Sequence, residues 1–316
     1  MDKIAKESQI ESLRRQLREM DAQRASIEAQ LAAFLEQGGP AQAQPPRKAT
    51  LPLAEKIKLF RRLFAGREDV FALRWENRKD GRSGYAPACS NEWVAGVCGK
   101  PEIKCGACPN QAFIPVSDDV IDRHLRGSPR SHGRSADYVI GVYPLLHDDR
   151  CWFLAADFDR ENWAEDARAY LETCRARSVP AALERSRSGL GGHVWIFFAE
   201  PISAREARQL GAALITETME RRPEIGFKSY DRFFPNQDTM PMGGFGNLIA
   251  LPLARRSRDK GNSVFVDDRL EPYEDQWEFL ASLKRMSRAD VSALVLEAQE
   301  SGKILGVRLP IDDDEQ

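Results

Sequence analysis

No apolar run in this 316-residue chain approaches membrane-spanning length, and the charged N-terminus lacks the apolar centre and small-residue cleavage site of a signal peptide. These absences exclude a membrane-spanning class and make the cytoplasm the expected location. A surplus of charge is also missing, since 46 Lys and Arg stand against 48 Asp and Glu. The chain is therefore not basic as a whole, and any contact with nucleic acid must come from local clusters of Arg and Lys. Histidine is scarce, and His124, His132 and His147 stand in polar surroundings without paired-ligand spacing. Six cysteines in a reducing compartment argue against a disulfide framework and for metal binding or plain burial. There is no internal repeat.

What is present is organised in blocks. Ile10, Leu13, Leu17, Met20, Ile27, Leu31 and Phe34 recur at three- and four-residue steps, broken only by Arg24, so residues 1–37 read as a coiled-coil helix. The same seam also fits a lone amphipathic helix, and self-association through it stays open. Residues 38–50 are rich in Gly, Pro and Gln without apolar periodicity, which predicts a linker. The globular part spans 51–316, with a helix around Leu53 to Phe64 and a strand at Val70 to Trp75. Further on, a buried strand ends at Asp159, and a helix follows from Trp163 to Arg177 with Asn162 and Glu165 placed as a capping box. Strands are expected at Ala181 to Arg187, His193 to Ala199, Asn247 to Leu253 and Ser263 to Asp267. Ser203 and Glu206 cap a helix running to Arg221, and C-terminal helices occupy 275–302.

Three stretches carry chemistry. CWFLAADFD is an apolar run that sets Asp157 and Asp159 two residues apart, on one side of a strand, where paired carboxylates suit magnesium or manganese. Two capping aspartates would read the same way. ERSRSGLGGHVWIFF places Gly189, Gly191 and Gly192 between Ser188 and His193, so backbone N–H groups and side-chain donors can face an anion; Arg187 adds positive charge. A tight hairpin with a packed histidine is the plainer alternative. SYDRFFPNQDTMPMGGFGNLIALPL brings Asp231 to the start of a Pro- and Gly-broken loop, with Asp238 as the competing third carboxylate and Asn247 as a sugar or base contact. Separately, Cys89, Cys98, Cys105 and Cys108 form a C-x8-C-x6-C-x2-C array within 85–113, a knuckle suited to structural zinc. Cys151 and Cys174 read as core residues, and the basic run Ala254 to Lys260 as either a template contact or a solvated turn.

Taken in order, GYAPACSNEWVAGVC, KCGAC, YPLL, CWFLAADFD, ERSRSGLGGHVWIFF, SYDRFFPNQD and GGFGNLIALPL resemble the archaeo-eukaryotic primase-polymerase domain of the TOTE conflict systems, over Leu51 to Asp267. These are mobile-element-linked modules in which the domain usually precedes a helicase. The resemblance implies an α+β fold, the archaeo-eukaryotic primase catalytic core, in which an RRM-like antiparallel sheet meets a second α/β unit with the active site between them. It puts the first family motif on Asp157 and Asp159, the second on Ser188 and His193, and the third carboxylate on Asp231. These would bind two metals and an incoming nucleoside triphosphate, for template-dependent addition to a primer or initiating 3′-hydroxyl with release of pyrophosphate. A non-polymerising nucleic-acid-binding module and a metal-dependent nuclease are the rival expectations. With no helicase motif in the chain, a helicase or nuclease partner is expected in trans.

Overall fold

The spacing of Ile57, Phe60 and Phe64 forms a helix, α1 (Leu53–Leu63), in the computed structural model. The structure describes residues 51–77, 80–127, 138–223 and 228–303, with helical residues 13–17, 19–20, 22–24 and 26. The chain divides into two units, Met1–Thr50 and Leu51–Gln316. In the first, Leu13, Leu17 and Met20 are exposed. The remaining seam positions Ile10, Ile27, Leu31 and Phe34, the linker 38–50, and His132 lie outside the described residues.

In the second unit β1 (Ala72–Glu76), β2 (Ser83–Pro87), α2 (Asp118–Arg126) and β3 (Ile140–Val142) precede the strand β4 (Arg150–Asp159). There follow α3 (Trp163–Ala176), β5 (Ala182–Arg185), β6 (Gly191–Ser203), α4 (Ala204–Arg221) and β7 (Tyr230–Phe234). The chain closes with β8 (Ile249–Ala250), the short α5 (Arg255–Arg258), β9 (Val264–Phe265), α6 (Gln276–Ser282) and α7 (Arg288–Glu300). Two antiparallel sheets result, ordered β2-β1-β3-β8 and β7-β4-β6-β5-β9. From β4 to β7 the chain runs β-α-β-β-α-β, with β4 and β6 side by side at the centre of the larger sheet. This is the strand order of the RRM-like sheet that the resemblance implies, extended at one edge by β9.

Alternation along β4 and β6 splits the larger sheet into two buried faces. On one, Trp195 and Phe197 meet Phe64 at the end of α1 and Phe153 beside them, with ring centroids 5.0 Å apart for Phe64–Trp195 and for Phe153–Trp195. Each such fully buried ring contributes roughly 1.5–3 kcal/mol of transfer free energy. On the other face lie α3 and α4, and Gly211 lets α4 come close: a β-carbon there would stand 2.7 Å from both Leu154 and Phe233. Cys151 and Cys174 are buried in this core.

The caps and His124 need correction. Ser203 accepts from Glu206 N and Asp275 from Trp277 N and Glu278 N, but Asn162 stands at φ 66 and makes no side-chain cap bond. A capping side chain reaches the first-turn N–H groups from extended backbone, and left-handed backbone aims it elsewhere. His124 is not in polar surroundings. It lies on the inward face of α2 with Val120, Ile121 and Leu125, and is fully buried. Its Nε2 donates to Pro252 O at 2.9 Å and its Nδ1 accepts from Ile140 N at 3.2 Å, so two backbone groups fix a neutral ring.

Candidate active site

β4 ends between two neighbours, and the register decides what meets there. Asp157 stands opposite His193 on β6, and His193 opposite Glu184 on β5, so the three side chains form one row across the sheet. His193 Nδ1 lies 2.9 Å from Glu184 Oε2, and the same oxygen accepts from Trp195 Nε1 at 2.9 Å. The other ring nitrogen, Nε2, faces Asp157 Oδ1 at 3.5 Å. That separation is an ion pair when the ring is protonated but not a hydrogen bond, and Oδ1 of Asp157 is a buried acceptor without a hydrogen-bond partner. Burial pushes the Asp157 carboxyl up to about 6; His193 opposes the shift, while the charges of Asp159 and Asp231 add to it. For His193 burial works against the charged ring, but Glu184 outweighs it and, with Asp157 and Asp159, holds the imidazole up at about 9.

The hairpin from β5 to β6 is tied by Ser186 N to Gly191 O at 2.9 Å and by Gly189 N to Ser186 O at 3.0 Å. Leu190 N donates to Ser188 Oγ at 3.2 Å. The Gly189 N–H, one of those expected to face an anion, is thus used inside the turn. The glycines have steric reasons of their own. Gly189 sits at φ +80, where a side chain is strained. A β-carbon on Gly191 would stand 2.1 Å from Asp159 Oδ1, and one on Gly192 would stand 2.5 Å from the Trp163 ring. Gly191 thus lets the Asp159 carboxylate lie close over β6, and Gly192 admits the Trp163 ring. Asp159 is anchored from its other side, where its N–H donates to Ser229 O at 2.7 Å and Ser229 Oγ donates to Asp166 Oδ2 at 2.5 Å.

Asp231 stands within strand β7, not at the start of a loop, and its Oδ2 accepts from Arg232 Nε at 2.7 Å. Asp238 is ion-paired with Arg208, a buried residue of α4. Asn247 Nδ2 donates to Phe233 O at 3.0 Å and its Oδ1 accepts from Asn236 N at 3.2 Å, so its side chain pins the loop after β7. Arg187 is half-buried near Tyr85 of β2, which brings the smaller sheet toward the hairpin.

Cys89, Cys98, Cys105 and Cys108 line one small cavity with Lys100, Ile103 and Gln111. An antiparallel bridge between Cys89 and Phe113 closes the insert. As placed, no three His, Cys, Asp or Glu side chains among the described residues stand close enough to share a metal ion. At the carboxylates, Asp231 is engaged by Arg232, a cation of its own. Two features still suit a hard cation there: Oδ1 of Asp157, buried without a hydrogen bond, and Oδ1 of Asp159, seated against Gly191 where a β-carbon would displace it.

A profile of the TOTE conflict system archaeo-eukaryotic primase domain matches residues 55–294, well over half of the chain. The chain belongs to this family. Among solved structures, the polymerase domain of ligase D from Mycobacterium tuberculosis, in complex with DNA, is similar at 14% identity and a TM-score of 0.35, over 82% of this chain and 91% of that one. None of the curated proteins matches the chain. In this TOTE-type primase domain Asp157 and His193 are cross-strand neighbours, and Asp231 lies near enough to raise the Asp157 carboxyl. Glu184, Trp195 and Ser229 hold those groups in place, and sequence reasoning missed their part. The signal for Glu184 was an acid in an apolar strand, which becomes meaningful only through the register of β5 on β6. No helix among the described residues is long and apolar enough to cross a membrane.

Proposed function

We propose that this domain is a template-dependent nucleotidyltransferase of primase-polymerase type, adding nucleotides to a 3′-hydroxyl with release of pyrophosphate. The observation that carries the reading is the buried Oδ1 of Asp157 at a strand end, without a hydrogen bond, with the His193 ring opposite at ion-pair distance and the charges of Asp159 and Asp231 acting on it. Magnesium or manganese bound there, as two ions, would neutralise charge that develops at the α-phosphate during in-line displacement. Asp157, Asp159 and Asp231 are the residues to hold them, Asp231 once its carboxylate leaves Arg232. Asp238, engaged with Arg208, is the poorer third carboxylate.

His193 presents Nε2 to the triphosphate, and Ser188 with the turn at Gly189, Gly191 and Gly192 shapes the surface against which the phosphates lie. Arg187 adds positive charge beside them. Asn247 serves the nucleotide through the loop it pins. Positioning and electrostatics supply the rate, since no covalent intermediate is needed. Template and primer strands are the macromolecular substrates, in the cytoplasm, with a helicase or nuclease acting in trans. Exposed Leu13, Leu17 and Met20 support self-association through the N-terminal helix.

The four cysteines around one cavity support structural zinc in the 85–113 insert. The insert packs on the loop ahead of Asn247, where a β-carbon on Gly106 would stand 2.3 Å from Gly243 O and Phe113 meets Phe245 at 5.2 Å. The purified chain should carry about one zinc per molecule, and chelation should lower its Tm; Cys105→Ser should reduce the metal content. The activity is tested by incubating the protein with labelled nucleotides, magnesium or manganese, and template with or without primer. Extension that falls at least about a hundredfold in Asp157→Ala supports the reading. Strand cleavage without extension, or binding alone, would sink it.

A further inference from the structure

The Glu184 carboxylate takes no part in the chemistry above, yet it is the most buried acid of the larger sheet and touches the active-site row directly. Its relative exposure is 1%, it belongs to β5, and it faces the same side of the sheet as Asp157. One of its oxygens, Oε2, lies 2.9 Å from His193 Nδ1 and accepts from Trp195 Nε1 at 2.9 Å. Trp195 cannot move, because it is fully buried, stacked on Phe197 and edge-on to Phe64. The tryptophan therefore fixes the oxygen, and the oxygen fixes the ring of His193.

We infer that Glu184 is the positioning residue for His193: its Oε2, held by Trp195 in the aromatic core, accepts the Nδ1 proton and so aims Nε2 into the site beside Asp157. An imidazole has two faces and two nitrogens, and a histidine beside a glycine hairpin is otherwise free to choose among rotamers. A hydrogen bond at Nδ1 removes that choice by fixing both the ring plane and the nitrogen left for a ligand. The arrangement links the hydrophobic core to the nucleotide site through a single oxygen. It rests on the reading of His193 as a nucleotide contact.

The proposal depends on the reach of the acceptor, and two substitutions separate reach from charge. Glu184→Asp keeps the carboxylate but withdraws it by one methylene, leaving Nδ1 beyond hydrogen-bond distance. Glu184→Gln keeps the reach, and its amide oxygen can accept from both Nδ1 and Nε1. Equilibrium binding of ATP and dATP with magnesium is measured alongside kcat and KM for extension, each variant also being made in a His193→Gln background. Glu184→Asp should weaken nucleotide binding about tenfold, through KM more than kcat, and Glu184→Gln should bind within about threefold of the parent. In the His193→Gln background Glu184→Asp should have no further effect on binding.

A tenfold loss that persists in the His193→Gln background would show Glu184 acting on the core rather than through His193, and would overturn the inference. So would tight binding by Glu184→Asp, or a Glu184→Gln variant as damaged as Glu184→Asp. If His193→Gln itself binds nucleotide normally, His193 is not a nucleotide contact, and that reading falls together with this one. If His193→Gln is impaired while Glu184→Asp is not, only the role of Glu184 fails.

Discussion

Asp157 and His124 illustrate two opposite uses of a buried polar side chain. Asp157 leaves a carboxylate oxygen without a hydrogen bond in the core, facing only the His193 ring, and an unsatisfied acceptor costs about 1–3 kcal/mol. Asp157→Asn removes a charge that burial disfavours and its repulsion with Asp159 and Asp231, which together outweigh its attraction to His193, so it should raise Tm by a few degrees while abolishing extension. Thermal unfolding beside an extension assay checks both halves, and a destabilised variant would show that the buried charge is not held at a cost. His124 has every polar atom satisfied as a neutral ring, and burial lowers its pKa to about 4 from an ordinary 6.5. The unfolded chain binds the proton more readily than the folded one. The stabilisation is therefore complete above about pH 6.5 and is lost as pH falls toward 4, by roughly 3 kcal/mol. Urea unfolding at pH 7 and pH 4 should show this loss in the parent and a smaller one in His124→Gln.

Strands and hairpins, more than loops, place the carboxylates. β4 delivers Asp157 and Asp159, β7 delivers Asp231, and the β5–β6 hairpin must pass close beneath Asp159 for the first pair to share a site. A β-carbon at Gly191 would intrude on Asp159 Oδ1, whereas one at Gly211 would intrude on Leu154 and Phe233, behind the sheet. Gly191→Ala and Gly211→Ala should each cost about 1–3 kcal/mol of stability. Only Gly191→Ala should also lower extension per folded molecule, by about tenfold or more, as active-site titration with labelled nucleotide would reveal. Equal activity in the two variants would separate Asp159 from the chemistry.

At the scale of the whole molecule, Leu51–Gln316 forms its own unit with its own core, apart from Met1–Thr50. A chain beginning at Leu51 should therefore fold and extend primers within about threefold of the full chain, and light scattering should give it a smaller assembly mass if the N-terminal helix self-associates. An equal mass for both would remove the coiled coil as a contact between copies. The sequence by itself determined the elements whose signals are local. The apolar run of β4 with its paired aspartates, the Ser203 and Asp275 caps and the glycine hairpin are all readable because propensity, capping and turn chemistry act over a few residues. It also carried the family, through motifs kept in order along the chain. Only the tertiary structure decided the partners of those motifs. The register of β5 on β6 sets Glu184 behind His193, the packing of α2 buries His124, and left-handed backbone at Asn162 cancels a cap that the letters spelled correctly. Asp231 and Asp238 are equivalent in sequence and differ in space, one on a strand beside Asp157 and the other held by Arg208. Such choices depend on contacts between residues far apart in the chain, and no local pattern encodes which distant group arrives.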